Sequence, residues 1–301
     1  MRVGWLGLGA MGAPMAACLA RAGHEVIGYD VAPERVGALA AAGGRAAESI
    51  AVAVQTADVA AIMVATPGQL EQVLFAEGGF AEGGTIGAED LPGTTVMIMA
   101  TVGPDAVVSA AARLGERGVA VVDAPVSGGV TRAADGDLLI MVSGEDRAVA
   151  RVRPLLDVLA RSAPVVGPSP GDGQRMKLVN QLLCGVHIAA AAEALAFAES
   201  LGLEAEQCWR VLRDGAAASF MFDDRGARMV AGEFGEVRSA MDIFVKDMGL
   251  VGAAAGEAGA LIPLAAAARE LYDRGHDLGL GRLDDSALIE VLREGPAEPP
   301  P

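Results

Sequence analysis

The chain has 301 residues, 52% hydrophobic and 21% charged, enough apolar material for two domain-sized cores and too much for a disordered chain. A formal net charge of -16 sets it against phosphate backbones and excludes nucleic acid as an expected partner. Three scattered cysteines (Cys18, Cys184, Cys208) and three histidines far apart in sequence (His24, His187, His276) offer neither a disulfide framework nor a local metal motif. No metal is therefore expected, and a reducing, cytoplasmic location is.

Arg2 precedes an apolar run with small residues from Ala16 to Ala20, as a secretory signal would have, but the glycines in that run follow the spacing of a different motif. Arg2 to Leu6 reads as a short buried strand, Gly7-Leu8-Gly9-Ala10-Met11-Gly12 follows, and a helix continues to about Arg21. This is G-x-G-x-x-G between a strand and a helix. The first glycine allows the tight turn, the second lets a pyrophosphate approach the backbone, and the third lets helix and strand pack closely. The helix N-terminus then faces the phosphates. A second strand, Glu25 to Tyr29, ends in Asp30 at about the spacing of a ribose-binding acid. Such an acid accepts from the ribose hydroxyls and repels a 2'-phosphate, which favours NAD, with NADP as the alternative. Arg35, on the helix expected after Pro33, is the side chain that could reach a phosphate instead.

Further along, helices are expected from Pro33 to Ala42 and from about Ser49, and strands from Val59 to Val64 and from Thr95 to Met99. In an open α/β sheet the ligand sits beyond the carboxyl ends of the strands, which puts Val64, Ala65 and Thr101 at the cofactor edge. Thr101 has a second reading as the cap of the helix that follows Pro104. Helix Asp105 to Arg117 leads to strand Val119 to Val122 and then to Asp123-Ala124-Pro125-Val126-Ser127-Gly128-Gly129. There the Ser127 hydroxyl and the backbone N–H groups of Gly128 and Gly129 can hold a carboxylate, as a backbone nest does; the plain alternative is a glycine-rich turn. Leu138 to Ser143 reads as a strand, Glu145 to Ala160 as a helix, and Pro164 to Val166 as a last short strand.

After Gly173 the pattern holds no strand. A helix from about Gln174 to Leu201 would span roughly 40 Å and could connect two domains. Its stretch Leu182 to Ala198 is strongly apolar, but His187 and Glu193 make it a poor membrane span and suit it to a core or a subunit interface. Helices near Ala205 to Arg213, Ser219 to Val230, Met241 to Gly256, Pro263 to Arg274 and Asp284 to Arg293 complete the pattern. The expected fold is therefore an α/β, Rossmann-like dinucleotide-binding domain over residues 1–166, followed by an all-α domain over 167–294. A disordered, proline-rich tail is expected over 295–301. The apolar helix makes a homodimer or homotetramer the expected assembly.

Within Gly171-Asp172-Gly173-Gln174-Arg175-Met176-Lys177-Leu178-Val179-Asn180-Gln181, Lys177 and Asn180 lie three residues apart and share a helix face. A lysine near a helix start is electrostatically out of place. The chain already supplies a dinucleotide site and a candidate carboxylate loop, and what those two lack is a proton donor or acceptor, which Lys177 provides. His187 lies seven residues beyond Asn180, roughly 10 Å further along the same helix, and reads as a packed histidine or as an ordering residue behind the site.

Taken together, these stretches resemble the β-hydroxyacid dehydrogenases, the family of the 3-hydroxyisobutyrate, tartronate semialdehyde and L-threonate enzymes. The resemblance rests on Gly7 to Gly12, Asp123 to Gly129, Gly171-x-Gly173-x-x-x-Lys177-x-x-Asn180 and Lys246-Asp247. It implies Lys177 as catalytic acid/base, Ser127, Gly128, Gly129 and Asn180 as substrate-binding residues, and Lys246 beside both nicotinamide and substrate. Asn180 to Glu193 and Asp242 to Asp247 look closest to the L-threonate branch, whose enzymes oxidise a small sugar acid with NAD. The 3-hydroxyisobutyrate and tartronate semialdehyde type stands as the alternative substrate class. Imine reductases share the fold and the N-terminal motif but typically lack the lysine. A non-catalytic NAD(P)-binding sensor would keep the glycine loop and lose the acid/base.

Overall fold

The computed structural model describes residues 1–76, 79–80 and 93–293 and divides into two compact units, Met1–Lys177 and Leu178–Pro301. The expected tail over 295–301 lies outside the described residues.

In the first unit the strands are β1 (Arg2–Leu6), β2 (Glu25–Tyr29), β3 (Arg45–Ala46), β4 (Val59–Ile62), β5 (Thr95–Ile98), β6 (Ala120–Asp123), β7 (Val126–Ser127), β8 (Leu138–Ile140), β9 (Val142–Ser143), β10 (Ala160–Ser162) and β11 (Val165–Gly167). The helices are α1 (Gly12–Arg21), α2 (Gly37–Ala41), α3 (Ile50–Val54), α4 (Pro67–Phe75), α5 (Pro104–Gly115), α6 (Gly129–Asp135), α7 (Asp146–Leu159) and the start of α8 (Asp172–Ser200). Eight strands form the main sheet in the order β11-β9-β6-β5-β4-β1-β2-β3. From β3 to β6 the pairs are parallel, and the order reverses between β1 and β4, the switch point at which such sheets open a ligand crevice.

Alternate residues of each strand point to opposite faces, and both faces are covered. Val59, Ala61 and Met97 enter one buried cluster with Met15 and Leu19 of α1 and Val152 and Leu156 of α7. Ala60, Ile62, Val96 and Ile98 enter the other with Leu70 and Leu74 of α4 and Val107 and Leu114 of α5. Burial on both sides is why these strands read as unbroken apolar runs.

Three expectations need correction, and one helix carried no expectation. Pro33 to Ala42 is a 3₁₀ turn, Pro33–Val36, followed by the short α2, because Gly37 sits where a helix former would have to carry the turn into regular helix. The run Leu138 to Ser143 is two strands in two sheets: β8 pairs with β7 and β10, whereas β9 crosses to β6 and β11 in the main sheet. The glycine-rich turn at Val126 begins as β7 and runs into α6. Pro67 opens α4, a helix the sequence reading passed over, with Thr66 capping it by accepting from the Gln69 N–H at 3.1 Å.

The second unit is helical: the remainder of α8, then α9 (Ala205–Leu212), α10 (Phe220–Ala231), α11 (Met241–Ala258), α12 (Pro263–Asp277) and α13 (Leu288–Arg293). Among the described residues it holds no strand, only an isolated bridge between Ala240 and Asp284. Ile188, Ala192 and Leu195 of α8 pack with Phe222, Met229, Phe244, Met248 and Tyr272. The Tyr272 hydroxyl donates to the Gly185 carbonyl at 3.0 Å, and its ring stacks on Phe244. By length and composition α8 could cross a membrane, yet 44% of its most apolar window is buried inside the protein. It shows one face to the core and leaves Val179, Leu183 and Phe197 exposed on another.

A buried ion cluster ties α10 to the segment before α13. Arg225 donates from Nε and Nη2 to both oxygens of Asp285, at 3.1 and 3.0 Å, and Asp224 accepts from both Arg225 and Arg228. Asp285 is fully buried, and burial raises its pKa above the ordinary carboxylate value against the pull of Arg225. For Asp224 burial pushes the same way, but Arg225 and Arg228 outweigh it and hold the group low. Removing one partner from a buried pair strands the other charge. Asp285→Ala is therefore expected to cost about 3–5 kcal/mol in urea unfolding of the whole chain; a loss below about 1 kcal/mol, the size found for exposed pairs, would show that the cluster is effectively solvated.

Candidate active site

The glycine loop shows why each of its glycines stands where it does. Gly7 has φ +98°, and a Cβ there would run into the Met63 carbonyl; a Cβ on Gly12 would run into the Gly7 carbonyl, so β1, its turn and α1 pack backbone to backbone. Trp5 Nε1 donates to that same Gly7 carbonyl at 2.9 Å. Gly9 is different, since nothing lies within 4 Å of where its Cβ would be. Its emptiness is a cradle at the N-terminus of α1, whose first turn carries no acidic residue to compete for its amides. A pyrophosphate fits these residues.

Asp30, at the end of β2, turns its carboxylate back onto this loop. One oxygen accepts from the Leu8 N–H at 2.7 Å and the other from the Ala32 N–H at 2.9 Å, which leaves each oxygen further acceptor capacity. Arg35 does not reach out toward a phosphate. Its Nη1 sits 3.4 Å from Asp30. Val64 and Ala65 follow β4 across the switch point. Thr101 follows β5, and the cap position of α5 belongs to Gly103, not to Thr101.

The loop that carries Ser127, Gly128 and Gly129 begins at Asp123, the last residue of β6. Ser127 ends β7 half-buried, and Gly128 and Gly129 take φ +144° and +77°, a conformation that side chains resist. Asp123 itself is fully buried, and the groups that hydrogen-bond to it are uncharged. Its Oδ2 accepts from the N–H groups of Gly171 (3.0 Å) and Gln174 (2.9 Å) and from the Ser143 hydroxyl (3.3 Å), and its Oδ1 accepts from Gln174 Nε2 at 2.8 Å. Burial raises its pKa above the ordinary value, and the bonds from Gln174, Gly171 and Ser143 act against that rise. The two glycines that open α8 have separate reasons: Gly171 has φ +102°, and a Cβ on Gly173 would sit 2.8 Å from the Asp123 carboxylate. One turn after Gln174 comes Lys177, which is only 6% exposed. A buried lysine in the second turn of a helix is not the solvated lysine that base rates favour.

In the second unit a run of polar contacts joins two sequence-predicted residues. Asn180 donates to Gln181 Oε1 at 2.8 Å, Gln181 donates to the buried Asp247, and Asp247 pairs with Lys246 at 2.6 Å. His187 lies further along α8, half-buried. The sequence reading missed Gln174, Gln181 and the role of Asp123 and Asp247. Asp123 carried a usable signal, an acid closing an apolar strand; the two glutamines carried none beyond their place next to Lys177 and Asn180.

A doubly wound sheet with an open glycine turn and a fixed carboxylate at its switch point is the frame of a dinucleotide-binding protein. Residues 2–167 match the model of the NAD-binding domain of 6-phosphogluconate dehydrogenase, and residues 171–292 match that described as NAD-binding of NADP-dependent 3-hydroxyisobutyrate dehydrogenase. The chain is 38% identical to an L-threonate dehydrogenase of Cupriavidus necator over 96% of its own length and 95% of the relative's. It is 34% identical to a 2-hydroxy-3-oxopropionate reductase of Escherichia coli over 97% of each. The crystal structure of a 3-hydroxyisobutyrate dehydrogenase from Salmonella typhimurium superposes with a TM-score of 0.87 at 37% identity, covering 96% of this chain and 99% of that one. The chain belongs to the β-hydroxyacid dehydrogenase family, enzymes that act on CH–OH groups with NAD(P).

Gly9 and Gly12 allow a paired test. Gly9→Ala meets no atom and should leave the unfolding free energy within about 0.5 kcal/mol of the parent. The same change should weaken NAD(P)H binding, read by fluorescence titration, by at least about tenfold, because the methyl fills the space the pyrophosphate approaches. Gly12→Ala should instead destabilise the fold. Equal effects of the two on binding and on stability would contradict this division of roles.

Proposed function

We propose that this protein oxidises a small hydroxy acid with NAD, that L-threonate, oxidised at its 2-hydroxyl to the 2-oxo acid, is the substrate it handles best, and that Lys177 is the general acid/base. The observation that carries the reading is the burial of Lys177, 6% exposed, one turn beyond a helix start that is pinned to the residue opening the Ser127-Gly128-Gly129 loop. The relatives support the substrate class, since the names they carry are those of small hydroxy-acid enzymes. When bound, the cofactor supplies the nicotinamide carbon that accepts a hydride. The residues of this chain do the rest. Gly7, Leu8, Gly9, Ala10, Met11 and Gly12 hold the pyrophosphate, Asp30 the ribose, and Val64, Ala65 and Thr101 line the cofactor edge. The Ser127 hydroxyl and the amides of Gly128 and Gly129 hold the substrate carboxylate, and Asn180 holds a substrate hydroxyl. Lys246 neutralises charge beside both ligands. Lys177 Nζ takes the proton from the substrate hydroxyl during oxidation and returns it during reduction.

In this reading the Asp30 carboxylate makes NAD the preferred cofactor over NADP, and the exposed apolar face of α8 at Val179, Leu183 and Phe197 supports a homodimer or homotetramer working in the cytoplasm.

The substrate class is tested by following NADH formation with L-threonate, D-glycerate, 3-hydroxyisobutyrate and 4-hydroxybutyrate; the highest kcat/KM is expected for L-threonate, and turnover of none of the four would end the proposal. Lys177→Met should retain NADH binding and lose about 10²–10⁴-fold in kcat, the range that acid–base catalysis supplies. Near-normal turnover of that variant would remove Lys177 from its role. Asp30→Ala should weaken NAD and narrow the gap to NADP, and a parent enzyme that already prefers NADP would refute the Asp30 assignment.

A further inference from the structure

The start of α8 is not capped by a neighbour in sequence. Its first-turn amides are taken up by side chains from distant strands. Asp123, at the end of β6, accepts from Gly171 and Gln174, 48 and 51 residues away, and Ser143, at the end of β9, accepts from Gly173 at 2.9 Å. A local cap fixes only where a helix begins. Three bonds from separate amides of one turn to two rigid strand ends also fix its rotation about the helix axis.

Gln174 completes the junction. Its Oε1 accepts from the Val102 and Gly103 N–H groups at 3.0 and 3.1 Å, and its Nε2 donates to the Ala100 carbonyl and to Asp123 Oδ1 at 3.0 and 2.8 Å. All four bonding positions of the amide are used, and flipping it would set donor against donor and acceptor against acceptor. The side chain is 1% exposed. Lys177 follows it by one turn, about 4.5 Å along the axis.

We infer that Asp123, Ser143 and Gln174 are positioning residues for Lys177: together they lock the turn that carries it against the ends of β5, β6 and β9. The inference rests on the reading of Lys177 as the acid/base. A helix that only had to pack could meet the sheet with apolar side chains, at no cost in desolvated charge. A proton-transferring group has a stricter requirement, because a misplacement of about 1 Å lowers the rate about 10²-fold.

The test is a cycle between the junction and Lys177. Gln174→Met keeps the volume and removes all four bonds, and Ser143→Ala is a milder second variant that removes the acceptor of the Gly173 amide. Gln174→Met is expected to lower kcat for hydroxy-acid oxidation by about 10²-fold and Ser143→Ala by several-fold, with NADH affinity within about twofold of the parent at a temperature where each is folded. In a Lys177→Met background neither should lower the residual rate further, since the group they position is gone. If Gln174→Met does not fold, the Ser143→Ala cycle alone decides. An unchanged kcat in the folded variants, a loss confined to KM or to NADH affinity, or an undiminished loss in the Lys177→Met background would each overturn the inference. Failure of the acid/base reading shows separately, as near-normal turnover of Lys177→Met with the junction intact.

Discussion

A buried carboxylate at a helix start governs the first unit. Asp123 has no cationic partner among its hydrogen-bonding groups; what faces it are backbone amides, a hydroxyl and a side-chain amide. An isolated carboxylate in such a place would be prohibitive to bury. The amides and the positive end of the α8 dipole stabilise it in place, while burial still draws its pKa upward. Three pieces of the candidate site meet at this one group. The loop to Ser127 starts from it, α8 begins against it, and through Gln174 it reaches the segment from Ala100 to Gly103 that carries Thr101.

The second unit buries charge by other means. Asp285 and Asp284 meet Arg225 and Arg228, so each charge has an opposite one within reach. Asp247 meets both Lys246 and the neutral Gln181. Full cationic pairing suits a structural staple, because the pair holds its geometry through mutual attraction. Asp123, by contrast, is held by backbone amides, a hydroxyl and a side-chain amide, dipoles that add no net charge to the junction at the start of α8.

Much of this was legible in the sequence where backbone sterics dictate it. The doubly covered sheet announced itself through Val59 to Ile62 and Thr95 to Ile98, and the nucleotide cradle through the spacing of Gly7, Gly9 and Gly12. Lys177 stood out for its place near a helix start. Less visible was anything decided by tertiary pairing. Leu138 to Ser143 reads as one strand because both halves are apolar, and only the partners available to each half split it between two sheets. Gln174 and Gln181 looked like ordinary polar helix residues, because a glutamine's role lies in which four groups surround it. Asp123 stands in the same stretch as Ser127, Gly128 and Gly129, but the eye goes to the serine and glycines that a ligand could touch and not to an acid whose partners, Ser143, Gly171 and Gln174, lie far along the chain.

Asp30 and Arg35 differ in how firmly each is held. Arg35 sits 3.4 Å from Asp30, and half of its side chain is exposed. A pair of that kind contributes about 0–1 kcal/mol, so breaking it to grip a 2'-phosphate would be a minor obstacle. Asp30 is harder to move: its side chain is 6% exposed, and both of its oxygens are fixed by amides of the turns on either side, Leu8 and Ala32. A 2'-phosphate brought to Asp30 would meet a negative charge that cannot rotate away without leaving the part-buried Leu8 and Ala32 amides unpaired. The proposed preference for NAD rests on the rigidity of Asp30 and not on any shortage of a cation beside it, so adding a second arginine near Arg35 is expected to do less to admit NADP than freeing the carboxylate from Leu8 and Ala32.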